Sequence, residues 1–418
     1  MQNNLQRLRS WIDQFSAPGV GMFLYLVSLS FYWSNLSFLI FTIPYISTLI
    51  PLSSLTRSRD SSRVVEINLS LVSILLLTFL LLYGLSVFFS SDPNNSLQYS
   101  SAWPAAILLY VLIVREHNKD DWEILCWGFT IYALITSLLL VFNGLSSTDA
   151  TPQELVIAVA SPLIIVPNDV IMLALSSAFA WYLLTTNVNR ITVSLAALSI
   201  LCVLITIVMV ESRSALIVFL ACTTIYMFSY RASMIRLKLL LLIPALLVAG
   251  LAVDFVLGFP FLNKFQSIPS SRLVLWLAAM DGAVNEPFIG QGPFTFAEYY
   301  GNYLATASLP EWMVVDDRRI PWPHNLFVEI AYGSGFIALL IFVGMLLVSF
   351  RNLLLLSARS IAMRQKVFVL LAVFISSMAA ALIELSLIRV WVVMLLVVIL
   401  ALIENLQSNR TESAALAR

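Results

Sequence analysis

Three polar side chains in an otherwise apolar chain are of the types that hold an anion and move a proton. They are Arg213 in "VMVESRSALIV", Arg272 in "SIPSSRLVLWLAAMDG" and His324 in "WPHNLFVEI". A guanidinium offers a planar fork of donors that matches phosphate oxygens. A neutral imidazole can accept a proton near pH 7, which a general base must do. His324 is one of only two histidines, and Pro321 and Pro323 restrict the backbone leading to it. Its ring is therefore held at the start of the apolar run that follows. Each residue also has a plainer reading. Arg213 could snorkel from a helix end or pair with Glu211. However, the N-terminal end of a helix disfavours a bare cation, and a bound anion would remove that objection. Arg272 could lie in water at the start of an amphipathic surface helix, on which Leu273, Trp276, Leu277 and Met280 fall at helical spacing. The free N–H groups of that helix start, together with Arg272, could instead cradle a phosphate. His324 could be an interfacial polar residue beside Trp322.

The elements that must position these residues are membrane helices. The chain of 418 residues is 60% hydrophobic and 11% charged, whereas soluble proteins average about 25% charged residues. Runs such as "LVSILLLTFLLLYGLSVFF" are continuous rather than alternating, which excludes a barrel and predicts an all-α, polytopic membrane protein. About twelve spans are expected, near 17–33, 35–52, 66–90, 100–114, 121–143, 169–187, 191–210, 212–230, 237–257, 325–350, 366–385 and 387–406. The N-terminal segment reads as an uncleaved first helix. With both termini in the cytoplasm, only Arg213, Lys264, Arg272, Arg318, Arg319 and Arg389 of the 23 Lys and Arg fall outside, a strong bias for that orientation. Residues 1–418 then form a single integral membrane domain. One large periplasmic loop, 258–323, carries short helices, and a second outer loop near 144–168 is mildly apolar. The zero net charge gives no global field for nucleic acid.

Other polar residues are weaker candidates. Arg389 and Glu384 bracket the last outer turn, "ELSLIR", where a local ion pair is the default and Arg389 is a possible further anion contact. Asn325 and Glu211 are possible further contacts beside His324 and Arg213. Glu329, one turn into the tenth span, requires a cavity or a partner because a carboxylate in the membrane is costly. Asp316 to Arg319 read as a solvated cluster, and His117 as a solvated residue of a cytoplasmic loop. Cys126, Cys202 and Cys222 lie inside apolar runs and read as small hydrophobic residues. No metal-ligand spacing and no Gly-rich phosphate loop is present, so neither a metal nor a cofactor is expected.

Taken together, "ESRSALIVFL", "SRLVLWLAAMDGAVNEPFIGQGPFTF" and "HNLFVEIAYGSGFIALLIF" resemble the O-antigen ligase family. Its superfamily also holds O-antigen polymerases and protein O-oligosaccharyltransferases. The resemblance covers roughly residues 205–350 and includes Arg213, Arg272, Trp276, Pro287, Gly290, Gly292, His324, Asn325 and Gly335. Ala338 stands where the family often has Gly, Thr or Tyr. The resemblance implies transfer of a glycan from undecaprenyl diphosphate to the lipid A–core of lipopolysaccharide. It places the reaction at the outer face of the bacterial inner membrane, without metal or nucleotide. Arg213 and Arg272 would then hold the lipid diphosphate, and His324 would take the proton of the acceptor hydroxyl. A polymerase would use a second lipid-linked glycan as acceptor. A lipid-glycan transporter would use the same arginines without chemistry, but the repeated halves and mid-membrane charges common in transporters are not visible.

Overall fold

The structure, a computed structural model, describes residues 70–100, 102–116, 121–146, 170–210, 212–229, 271–316, 319–357 and 361–416. Among these residues the chain is helical and contains no strand. The helices in chain order are α1 (Leu71–Phe88), α2 (Pro93–Tyr99), α3 (Ala102–Glu116), α4 (Asp121–Ser146), α5 (Val170–Thr186) and α6 (Arg190–Met209). They continue with α7 (Arg213–Met227), α8 (Ser271–Asn285), α9 (Phe296–Thr306), α10 (Leu326–Leu356), α11 (Ile361–Ala381) and α12 (Val390–Leu416). Six of them are long and apolar enough to cross a membrane: α1, α4, α6, α10, α11 and α12; α5 and α7 are shorter apolar helices. The spans expected near 17–33, 35–52 and 237–257 lie outside the described residues. Several helix starts are fixed by side-chain caps, with Ser70, Asn189, Ser212 and Asn325 accepting backbone N–H groups of α1, α6, α7 and α10.

Two sets of helices share one apolar core. In the first, α5 packs against α4, α6, α7 and α11. It is buried on all sides through most of its length, and its buried Ser176 and Ser177 donate to carbonyls of the helix itself, as a central helix requires. In the second, α1 packs on α10, and α3 packs on α12. Glu404 of α12 is buried there and accepts from Ser73 Oγ at 2.9 Å and from the Tyr110 hydroxyl.

Helices α7 and α11 run antiparallel. Arg364 donates to the Phe228 carbonyl at 3.1 Å, and Cys222 Sγ lies 3.6 Å from the Ala372 carbonyl. Nine residues further along each helix, about 13 Å at the α-helical rise, Arg213 is level with Ala381. The start of α7 and the end of α11 therefore share one end of the bundle.

The tenth span, expected as continuous, is broken at Gly335, where φ is 82° and ψ is 169°. In an unbroken helix Phe336 would donate to the Tyr332 carbonyl four residues back. Here Phe336 N donates to the Pro287 carbonyl at 2.9 Å. The released Tyr332 and Gly333 carbonyls accept from Gln291 N at 2.8 Å and Gly292 N at 3.1 Å. The loop after α8 is thus laced into the break and replaces the lost helical bonds. Contact is close enough to require glycine: a Cβ on Gly335 would sit 2.4 Å from the Phe288 carbonyl oxygen, and one on Gly292 would sit 2.0 Å from Ser90 Oγ. The other side of the same loop is held by the α1–α2 corner, through Ser91 N to the Gln291 carbonyl at 3.2 Å and Asn95 Nδ2 to the Phe294 carbonyl at 2.8 Å.

Beyond the break, α8 and α9 build a small core of their own with Val274, Leu275, Ala278, Ala279, Phe296, Tyr300, Ile320 and Tyr332. On α8 Leu273, Leu277 and Met280 are exposed, while Val274, Leu275 and the small residues Ala278, Ala279, Gly282 and Ala283 face inward. The reason is space, because a Cβ at Gly282 would already stand 2.7 Å from the Tyr332 ring. The apolar edge left outside is where a lipid surface would meet the helix. The two helices are also tied by Tyr299, whose hydroxyl donates to Asp281 at 2.6 Å and accepts from Asn285 at 3.0 Å. Burial, reinforced by that carboxylate, pushes the Tyr299 phenol up to about 12, so it remains a donor at neutral pH.

Candidate functional site

The end of the bundle that carries the start of α7 also carries the turn between α11 and α12, and Glu384 lies in that turn. Its carboxylate is shared. One oxygen stands 2.9 Å from His324 Nδ1, and the other accepts from the Arg272 guanidinium. Two residues singled out in the sequence, 52 positions apart by number, thus meet on a third that follows His324 by 60 positions. The Glu384 side chain is 3% exposed, whereas those of His324 and Arg272 are 21% and 31% exposed. The anion is sealed inside, and its two partners reach towards solvent.

Local sequence explains how each member is held. Asn325 caps α10, accepting from Phe327 N at 3.0 Å and Val328 N at 3.2 Å. His324, immediately before that cap and after Pro323, has φ of 54°. A left-handed backbone at a residue with a Cβ costs roughly 1–3 kcal/mol and persists only where its surroundings enforce it. Here the enforcing contacts are the cap behind it, the Glu384 carboxylate at Nδ1 and the Trp322 ring, whose centroid lies 5.2 Å from the imidazole. Arg272 stands in the first turn of α8, and α8 is fastened to α10 by the laced loop.

Arg389 lies in the same turn as Glu384, with its guanidinium carbon 5.0 Å from the centre of the Trp322 ring. Trp322 therefore has Arg389 over its face and His324 beside it. Arg213 is half-buried at the start of α7, at the level of the end of α11. Of the remaining residues singled out, Asn325 is buried and its side-chain oxygen is used by the cap. Glu211, Asp317 and Arg318 lie outside the described residues, as does His117. Among the described residues no group of three His, Cys, Asp or Glu is placed to hold a metal ion.

Sequence reasoning missed the weight of Glu384, which it read with Arg389 as a local turn pair. Its signal was present but faint: a carboxylate in a short turn between two apolar helices, where burial demands a partner.

In chemical terms the site joins an imidazole and the Arg272 guanidinium through one carboxylate, with Arg389 nearby over Trp322. With Glu384 accepting the Nδ1 hydrogen, Nε2 carries the lone pair and can take a proton. Arg272 gives up part of its fork to Glu384 and retains other N–H donors. The helical architecture is that of a multi-pass membrane protein, and its side chains here are of types that can accept a proton and hold an anion. Residues 197–343, about a third of the chain, match the family described as O-antigen ligase, which supports the wider group of O-antigen ligases and polymerases. The matched segment contains Arg213, Arg272 and His324, while Glu384 and Arg389 lie beyond it. No curated protein matches the chain.

Proposed function

We propose that the protein is an O-antigen ligase. In this reading it moves a glycan from undecaprenyl diphosphate to the lipid A–core of lipopolysaccharide. It does so at the periplasmic face of the bacterial inner membrane, with both termini in the cytoplasm. The observation that carries the reading is the buried Glu384 carboxylate shared by His324 Nδ1 and Arg272. It brings a base and an anion-holding group to one place, and both of those partners, though not Glu384 itself, lie in the segment that matches this family.

The chemistry follows from the geometry. The acceptor hydroxyl attacks the anomeric carbon of the donor glycan, and its proton passes to His324 Nε2. The bond from the anomeric carbon to the phosphate oxygen breaks, and the lipid diphosphate leaves with the electron pair. Arg272 and Arg213 offset the charge that develops on it, with Arg389 as a further contact. Glu384 goes on accepting the hydrogen bond from Nδ1–H and stabilises the imidazolium formed, the role a buried carboxylate plays behind a catalytic histidine. No residue of the chain needs to form a covalent intermediate, and the glycosyl–phosphate bond that breaks already carries an activated leaving group, so no nucleotide is required.

The test is direct. Purified protein in lipid is incubated with undecaprenyl diphosphate-linked glycan and lipid A–core, without nucleotide, and the joined product is sought. Formation of that product in wild type, and its loss in His324→Ala, is the expected result. Elongation of a second lipid-linked glycan without transfer to lipid A–core would move the assignment to a polymerase. Movement of the lipid-linked glycan across the bilayer without either product would make the protein a transporter.

A further inference from the structure

The transfer site is assembled from two chain segments far apart in sequence, and its geometry depends on how they are joined. One is the start of α10, which carries His324. The other is the turn from Glu384 to Arg389. Within the turn, Ile388 N donates to Ser386 Oγ at 3.1 Å and Arg389 N to the Ser386 carbonyl at 3.3 Å. The Leu387 N–H leaves the turn and donates to Glu329 Oε1 at 3.1 Å. Glu329 lies one helical turn beyond Asn325, its own N–H bonded to the Asn325 carbonyl at 2.9 Å. The other oxygen of its carboxylate is buried away from solvent. A carboxylate in apolar surroundings is costly, so its retention calls for something that it holds.

We propose that Glu329 is a positioning residue for glycan transfer: by gripping Leu387 it fixes the turn bearing Glu384 and Arg389 against the helix start bearing His324. This rests on the transfer reading above and adds to it a residue that touches neither substrate nor the reacting atoms. The link is short at both ends. Glu329 is five residues from His324, and Leu387 is three from Glu384 and two from Arg389. Without the link, the turn keeps its internal bonds and loses its register on α10. Glu384 then drifts from Nδ1, and the imidazole loses the partner that orients it. What the turn needs from residue 329 is an oxygen that accepts, and a glutamine carbonyl supplies one.

The experiment compares Glu329→Ala, Glu329→Gln and His324→Ala at matched amounts in membranes. Substrates are undecaprenyl diphosphate-linked glycan and lipid A–core, and hydrogen exchange of the 382–389 segment is measured on the same purified proteins. Glu329→Ala should lower kcat by about 10²-fold, the scale of a misplaced catalytic group, with a smaller change in KM. It should also raise exchange at Leu387. Glu329→Gln should restore most of both. Raised exchange with unchanged kcat, or unchanged exchange in Glu329→Ala, would overturn the proposal. So would a Gln variant as impaired as Ala, since the carboxylate would then act by its charge. An inactive His324→Ala beside fully active Glu329 variants would sink this inference alone. Wild type that transfers no glycan would sink the transfer reading, and the exchange data would still decide whether Glu329 holds the turn.

Discussion

Glu384 and Glu404 are both buried glutamates, one just before the apolar stretch Val390–Gln407 and one near its far end. Their surroundings differ in kind. Glu404 is met by two hydroxyls, those of Ser73 and Tyr110, and Ser73 and Tyr110 also lie 3.1 Å apart, so the cluster closes on itself. Glu384 is met by an imidazole and a guanidinium, both partly exposed. The first arrangement ties α1, α3 and α12 together. The second holds a strained histidine and an arginine at an edge where a substrate can reach them. Burial alone therefore does not mark a functional carboxylate. In the transfer reading, the mark is a buried acid whose partners are basic and partly exposed.

The largest expected difference between the two clusters is in turnover. His324→Ala and His324→Gln should each lower glycan transfer by about 10² to 10⁴, the usual contribution of a general base. Gln retains hydrogen bonding but cannot carry the proton, so an active His324→Gln at normal membrane abundance would refute the base assignment. Glu384→Gln should cost about 10²-fold through the misdirected imidazole, with its loss chiefly in kcat. Glu404→Gln should leave kcat near wild type. Equal effects at the two glutamates would erase the distinction drawn above.

Part of this contrast was legible in the sequence. The all-helical class was, because continuous apolar runs have one stable form in a bilayer; of the twelve or so spans expected, six are matched among the described residues by helices long enough to cross. Arg272 and His324 were picked out, because each stands at the start of a helix, Arg272 after the capping serines and His324 behind the Pro-Trp-Pro approach. The break at Gly335 was not. "AYGSGF" reads as an ordinary apolar stretch, and only the loop carrying Pro287, Gln291 and Gly292 supplies the partners that make a broken helix affordable. Nor was the meeting of Glu384 with His324, since nothing local records a contact across 60 positions. The amphipathic pattern of α8 was read, but its inner face was not, because Gly and Ala carry little hydrophobic signal and are buried for their small size.

The arginines sharpen the contrast next. Arg272→Lys keeps the charge but loses the fork that serves Glu384 and a phosphate together, and Arg213→Lys loses bidentate reach to the diphosphate. Both should raise KM for the lipid-linked donor and lower kcat/KM, whereas Arg319→Ala, at an exposed position, should leave both unchanged. Kinetics with varied donor at fixed acceptor would check this. Full tolerance of Lys at 213 and 272 would return them to structural readings.

The smallest effect on turnover, and a clear one on stability, is expected at Tyr110. Its hydroxyl donates to Glu404 inside the core, beside Ser73. Tyr110→Phe keeps the ring and removes one donor, so a buried carboxylate oxygen loses its partner. An unsatisfied buried acceptor costs about 1–3 kcal/mol, towards the upper end when charged. Thermal unfolding in detergent should therefore shift down, while kcat and KM stay at wild-type values because the site end of α12 is untouched. The double variant Tyr110→Phe with Glu404→Gln should recover part of the loss. A neutral amide is cheaper to leave half-satisfied than a carboxylate, and its NH₂ can donate to Ser73. If Tyr110→Phe instead lowered turnover as far as Glu384→Gln does, without loss of stability, the Glu404 cluster would be part of the catalytic apparatus. The two glutamates would then have to be read as one coupled system along α12.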